Sequence, residues 1–383
     1  MLLDVRIGGP GQYVDRDRNP NKLHIPLAGE TSRLVLTFRE DKIVAIEEGP
    51  AFDSAEWERI EQEIEESILD GQMREGREYS FSSFRVLGSW RGERSGLQIL
   101  PPPVDAPQTQ VEMADHPFIL EFPLKETSVW RITNHRRIRD HRRYTLLLNA
   151  LLSGHTSVQL LRPNHLWATV PASDGGYKTM WVQPSFFAKL GEILRDEPSP
   201  LTGELLNEVQ PNELVGHDGQ GLRIPTDLDD LICTYMQLPP STREKFDRAA
   251  YWFDMASRDW AVSISSSFAD LVSSIESLTE RGEFHQLDCQ QCGQPVTHEV
   301  PGATQRFKDF LESFAGGSEL TARRSEMYSL RSGILHGGKL MQLDEDIAIG
   351  WDPPWWNEKE LHDELWHLTR VALRAWLMLD RPS

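Results

Sequence analysis

Cysteine is scarce in this chain, with three in 383 residues. So few thiols, and an odd number of them, exclude a disulfide framework and fit a reducing compartment, so a cytoplasmic location is expected. No apolar run approaches the roughly 18 residues that span a bilayer. The opening residues, MLLDVRIGG, lack the basic start and apolar stretch of a secretory signal. No membrane partner is expected. Basic residues are in the minority, 40 against 59 acidic, for a formal net charge of −19. That balance argues against a broad, non-specific nucleic-acid coat, and it leaves room for an enzyme with a local basic groove. Several signatures are also missing. There is no GxxxxGK[ST], no GxGxxG after a strand, no HExxH and no GxSxG, so nothing points to a phosphate loop, a dinucleotide fold, a zincin or a hydrolase elbow. His362 and His367, in HDELWH, stand five apart rather than four, which does not put two imidazoles on one helix face; a solvated face is expected there.

Proline and glycine punctuate the chain. Pro101, Pro102 and Pro103 read as a linker. Pro239 and Pro240, followed by Ser241 and Thr242, end one region and predict a cap for the next helix. The expected domains are therefore 1–103, 104–240 and 241–383. Arg33–Arg39 and Lys42–Glu47 alternate apolar and polar residues around Glu40 and Asp41, a hairpin pattern. Asp53 or Ser54 can cap a helix carrying Trp57, Ile60, Ile64 and Ile68, and Phe81–Leu87 reads as a strand. Further strands are expected at Phe118–Phe122 and near Leu166–Val170, on either side of a helix that runs through the Arg131–Arg143 cluster into Tyr144–Leu152. The stretch 180–240 has too weak a period to place.

After residue 240 the period becomes helical. Phe246, Phe253, Trp260, Ile264, Phe268, Leu271, Ile275 and Leu278 form a stripe over two helices broken near Ser257–Asp259. Phe307 to Phe314, Met327 to Ile334 and Leu361 to Leu379 mark three more, the first two stopping at Gly316-Gly317 and Gly337-Gly338. The expected class is α+β: a mixed α/β N-terminal region followed by an all-α bundle.

The chemistry concentrates in Arg323–Gly338, RRSEMYSLRSGILHGG. His336 falls at a helix C-terminus, where the dipole favours imidazolium, and a near-neutral histidine suits general acid–base work. Arg331 is permanently cationic and can hold a phosphate. Arg324, Tyr328 and Arg331 recur at i, i+4 and i+7 and share a face, while Met327, Leu330 and Ile334 take the core face. Gly333 costs helix stability, roughly 1 kcal/mol against Ala, and would admit a second helix closely. Read from spacing alone, the R-x4-H match is weak, and Arg331 and His336 fit better as a C-terminal charge pair satisfying carbonyls.

A bundle with YSLRSGILHGG on its penultimate helix and FADLVSSIESL on an earlier one resembles the HEPN superfamily, most of all its Apea-like branch. The shared R-x4-6-H pattern falls on Arg331, Ser332, His336 and Gly337, and the acidic residue within the earlier apolar helix falls on Glu276. The resemblance spans about residues 243–380 and leaves 1–240 unrecognised. It implies a homodimer with two such motifs facing across a two-fold axis. It also implies endoribonuclease chemistry without a catalytic metal, in which the ribose 2′-OH attacks the adjacent phosphate and leaves a 2′,3′-cyclic phosphate. On that analogy His336 moves a proton, Arg331 stabilises phosphate charge, Ser332 orients them and Glu276 holds the imidazole. The expected role is a toxin or anti-phage effector cutting RNA, with residues 1–240 sensing a trigger protein, selecting substrate or docking an antitoxin. Other members of the superfamily are inactive and only bind RNA or partner proteins, so a non-catalytic dimer is the alternative.

Three further features stay open. Arg131–Arg143 holds six arginines, among them Arg136, Arg137, Arg139, Arg142 and Arg143, against Asp140 alone. It reads as a phosphate-binding patch, with Arg324 and Tyr328 as further RNA contacts, or as a solvated face paired with acids elsewhere. Cys289 and Cys292, in DCQQCGQ, form a C-x2-C-G knuckle that His285 and His298 could complete as a structural zinc site, or they form an unmetallated turn or a redox pair. Trp351, Trp355 and Trp356 lie in WDPPWW, a proline-stiffened loop that would stack on unpaired bases or pack in a core or interface.

Overall fold

The computed structural model describes residues 22–26, 33–39, 42–48, 62, 71–102, 116–127, 130–152, 156–158, 166–171, 177–182, 192–211, 221–280, 282–288, 295–316, 323–345 and 353–379. The helix expected from Asp53 or Ser54 and the Cys289–Cys292 knuckle lie outside these residues. Helices and antiparallel strands occur together, so the class is α+β. The chain divides into two compact units, 1–75 with 123–140, and 76–122 with 141–383.

The first unit contains an antiparallel meander of β1 (Lys22–Pro26), β2 (Arg33–Arg39) and β3 (Lys42–Glu48). The alternation of the β2 and β3 sequences places this hairpin where the sequence predicts it, with a register shift between Thr37 and Phe38. Helix α1 (Trp130–Leu151) begins in this unit. Its Thr133 hydroxyl accepts from the Thr127 amide at 2.9 Å and so fixes the approach to the helix.

The second unit holds a six-stranded sheet. β4 (Met73–Ser82) and β7 (His116–Lys125) are its long strands, and β5 (Trp90–Arg91), β6 (Gln98–Leu100), β8 (Thr156–Val158) and β11 (Leu194–Arg195) complete it. The strand expected at Phe81–Leu87 runs earlier, ending at Ser82. Phe118 to Phe122 are buried without a break, so β7 is covered on both faces. Glu121 inside that run is satisfied because Ser199 donates to it from both amide (2.9 Å) and hydroxyl (2.6 Å), and Arg77 lies 3.3 Å away. β9 (Leu166–Pro171) and β10 (Tyr177–Val182) form a separate hairpin, and β12 (Glu208–Val209) pairs with β13 (Ile224–Pro225) in parallel.

The same unit contains α2 (Leu228–Gln237), α3 (Pro240–Asp259), α4 (Ile264–Glu276), α5 (Ala303–Phe314), α6 (Arg324–Leu335), the short α7 (Gln342–Glu345) and α8 (Pro353–Leu379). The predicted stripe is the core: Phe246, Phe253, Phe268, Leu271, Phe307, Leu365 and Leu368 are buried. Each such side chain contributes about 1.5–3 kcal/mol by leaving water. Three expectations need correction. The region after 240 is not all-α, because β14 (Glu283–Asp288) and β15 (Pro295–Val300) form an antiparallel hairpin between α4 and α5. Ser241 and Thr242 do not cap α3. Pro239 is its N-cap and Pro240 its first residue, where a missing N–H costs nothing. WDPPWW is not a loop throughout, since α8 starts at Pro353.

Candidate active site

The motif helix α6 packs on α4 through Met327 and Leu330, which are buried as the period requires. Ile334, expected beside them, is only half-buried. This packing brings one turn of α6 against the C-terminal end of α4, where Glu276 is the last helical residue. Arg331 Nη2 donates to Glu276 Oε2 at 2.6 Å, and Tyr328 Oη donates to Glu276 Oε1 at 2.9 Å. The Arg331 guanidinium lies over the Tyr328 ring, 5.7 Å from its centre. Phe307 packs against Tyr328, its ring 5.4 Å away. Burial, reinforced by the Glu276 carboxylate, pushes the Tyr328 phenol up to about 12, so it remains a proton donor at neutral pH.

His336 caps the same helix at its C-terminus, its amide donating to the Ser332 carbonyl at 3.1 Å. Gly337 follows at φ +69°, a conformation costly for any residue with a Cβ, and the Gly338 amide closes on the Gly333 carbonyl at 2.9 Å. The His336 side chain is exposed and makes no hydrogen bond among the described residues. The arrangement therefore corrects the role expected for Glu276: both its oxygens serve Arg331 and Tyr328, and neither holds the imidazole. Ser332 is half-buried on the same turn. A Cβ at Gly333 would meet only the Lys339 side chain, at 3.4 Å, so no second helix among the described residues uses the space.

Arg324, expected to share a face with Tyr328 and Arg331 and to contact RNA, is 1% exposed. It pairs with Glu312 and donates to the Ala315 carbonyl at 3.2 Å, so it ties α6 to the end of α5 and has no capacity for phosphate. The arginine segment is likewise largely spent on the chain's own acceptors. Arg136 donates to the Lys125 carbonyl (3.3 Å), Arg137 to Asn134 Oδ1 (2.7 Å), and Arg139 pairs with Asp140 (2.8 Å). Arg142 lies over the Tyr251 ring at 5.6 Å, and Arg143 pairs with Asp247 at 3.2 Å. Arg139 and Arg142 are the two of the five that are exposed.

His285 stands directly opposite His298 on the β14–β15 ladder. Among the described residues no group of three or more His, Cys, Asp or Glu side chains could hold a metal ion. His362 overturns the expected solvated face. It is buried, with Nε2 2.8 Å from Ser267 Oγ and its ring 4.6 Å from that of Trp260. Sequence spacing missed it because its neighbours Asp363 and Glu364 are polar, and only the tryptophans on either side hint at a core position. Comparison with family models, with curated proteins and with solved structures returns no match for this chain.

Proposed function

We propose that the protein is a metal-independent endoribonuclease of HEPN type that works as a homodimer. The observation that carries this reading is the α6 turn itself. Arg331 is held by Glu276 over the Tyr328 ring, and five residues later an exposed imidazole with no partner among the described residues ends the helix. Such a histidine is free to take the 2′-OH proton or to return one to the 5′-oxygen that leaves, while the guanidinium neutralises the phosphorane oxygens. The bonds balance without an added reagent: the 2′-oxygen bonds phosphorus, the P–O5′ bond breaks, and the product is a 2′,3′-cyclic phosphate. Five residues along a helix turn through about 140° relative to one another. One copy of α6 therefore does not aim both groups at a single phosphate, and a second copy supplies the missing half. Val262, Leu335 and Leu340, exposed apolar residues beside the segments that meet the start of α4, suit that contact. In this reading the part of the chain before 240 selects RNA or receives a trigger protein or antitoxin, and the cellular role is a toxin or anti-phage effector.

The alternative, a dimer that binds RNA or a partner without cutting, is favoured by the same Glu276, which neutralises the guanidinium a phosphate would need. Cleavage of labelled RNA by the full chain in EDTA separates the two. Arg331→Ala and His336→Ala are each expected to lower cleavage at least a hundredfold while circular dichroism stays native. Persistent cleavage by folded His336→Ala would falsify the catalytic assignment, and binding without cleavage by the wild type would establish the alternative.

A further inference from the structure

Arg370 lies in the middle of α8, far along the chain from the Arg331 turn. Of the arginines whose Nε is shut off from solvent, it alone makes neither a hydrogen bond nor an ion pair among the described residues. Arg77, Arg137, Arg243, Arg258, Arg306, Arg324 and Arg331 all have acceptors. The neighbours of Arg370 at helical spacing are Trp366, His367, Leu373 and Arg374, with no carboxylate among them. Its guanidinium lies over the Phe253 ring, 5.6 Å from the centre, and that ring packs on Trp366 at 5.2 Å. Asp254, beside Phe253, is already committed to Arg258 (2.8 Å) and Asn149 (3.3 Å). Arg374 has its own partner in Asp227 at 2.7 Å. Burial, and then the charge of Arg374, push the Arg370 guanidinium down to about 10. Arg370 is half-buried with its Nε shut off from solvent. A partly desolvated cation without a counter-charge among the described residues is costly, and a chain with 59 acidic residues has no shortage of carboxylates to place there.

We infer that Arg370, with the exposed His367 one turn before it, forms a binding site for a phosphate-type oxyanion. The guanidinium fork offers parallel donors to two oxygens, and the Phe253 face holds its plane. The imidazole adds a third donor from the solvent side. This site is independent of the Arg331 chemistry and stands whether or not the chain cleaves RNA. The oxyanion is either free phosphate or the terminal phosphate of a nucleotide.

The test uses the full chain at constant ionic strength, titrated with inorganic phosphate, AMP or adenosine, and read by melting temperature and calorimetry. Phosphate and AMP are expected to raise the melting temperature saturably, and adenosine and chloride are not. AMP binding tighter than phosphate identifies a nucleotide source, and equal binding identifies free phosphate. Arg370→Met is expected to weaken phosphate at least tenfold while melting no lower than the wild type in chloride, because it removes an unpaired charge. Arg370→Lys keeps the charge without the fork and is expected to weaken phosphate severalfold, which decides the matter if the Met variant does not fold. No saturable response in the wild type, or equal phosphate affinity in the wild type and the folded variants, overturns the proposal.

Discussion

One buried histidine and a half-buried aspartate are expected to give this protein opposing responses to pH. His362 sits among Trp260, Phe268 and Trp366, with Nδ1 shielded and Asp363 Oδ1 at 3.8 Å, beyond hydrogen-bond range. Burial lowers its pKa below the ordinary 6.5. The unfolded chain therefore takes up a proton that the native chain refuses, and stability present above pH 6.5 is lost as the pH falls towards the depressed value. His362→Gln is expected to flatten the fall in melting temperature between pH 6.5 and 5; an unchanged slope would sink this account. Asp270 goes the other way. Burial, then the charge of Asp259 and a hydrogen bond to it, push it up to about 7. The native state holds that proton longer than the unfolded one, so its contribution is complete below about pH 4 and disappears as the pH rises through 7. Asp270→Asn is expected to melt higher than wild type at pH 8 and level with it at pH 4. None of this is visible in the sequence, because local spacing does not say that Asp259 and Asp270 meet or that His362 is covered by Trp260. What covers His362 is the packing of α8 against α4, two helices distant along the chain.

At the scale of elements, the helices were legible wherever one face is apolar. α3, α4, α6 and α8 follow their stripes, and the Gly337 stop of α6 is the left-handed cap that its sequence predicts. The β14–β15 hairpin was not legible. Glu283, Phe284 and His285 are exposed, so no buried face imposes a period of two. For the candidate site, spacing put Tyr328 and Arg331 on one face but carried no information on which of them Glu276 would meet. The start of α4 shows another long-range device. Ser263 accepts from the Ser266 amide, and Asp344 accepts from the Ser263 hydroxyl (2.9 Å) and from the Ile264 and Ser265 amides (3.0 and 2.8 Å). Burial alone would raise the Asp344 pKa, but the bonds from Ser265, Ser263 and Ile264 more than offset it and hold it below the usual carboxylate value. Asp344→Ala is expected to cost about 1–2 kcal/mol in chemical denaturation, because α4 then starts with unsatisfied amides. A loss under about 0.3 kcal/mol would show that water replaces the carboxylate.

For the whole molecule, the first test is assembly. The full chain at micromolar concentration is expected to scatter light as twice 43.8 kDa, and a monomer would remove the two-copy site. A fragment starting at 241 is the wrong material for this. It discards α1, whose Asn149 bonds Asp254 on α3 and whose Leu151 carbonyl accepts from Arg374. That last contact has a corollary in time. Arg374 also reaches Asp227, so one side chain of α8 clasps the end of α1 and the approach to α2, and α8 covers α4 as well. A ribosome adding about 5–20 residues per second makes α6 seconds before it finishes α8. In that interval the nascent polypeptide carries Arg331 and His336 but lacks the helix that closes over α4, the element that holds Glu276. On the proposed function, a message broken upstream of α8 would yield an inert product, and the chain would become competent only once the ribosome that made it has finished that helix.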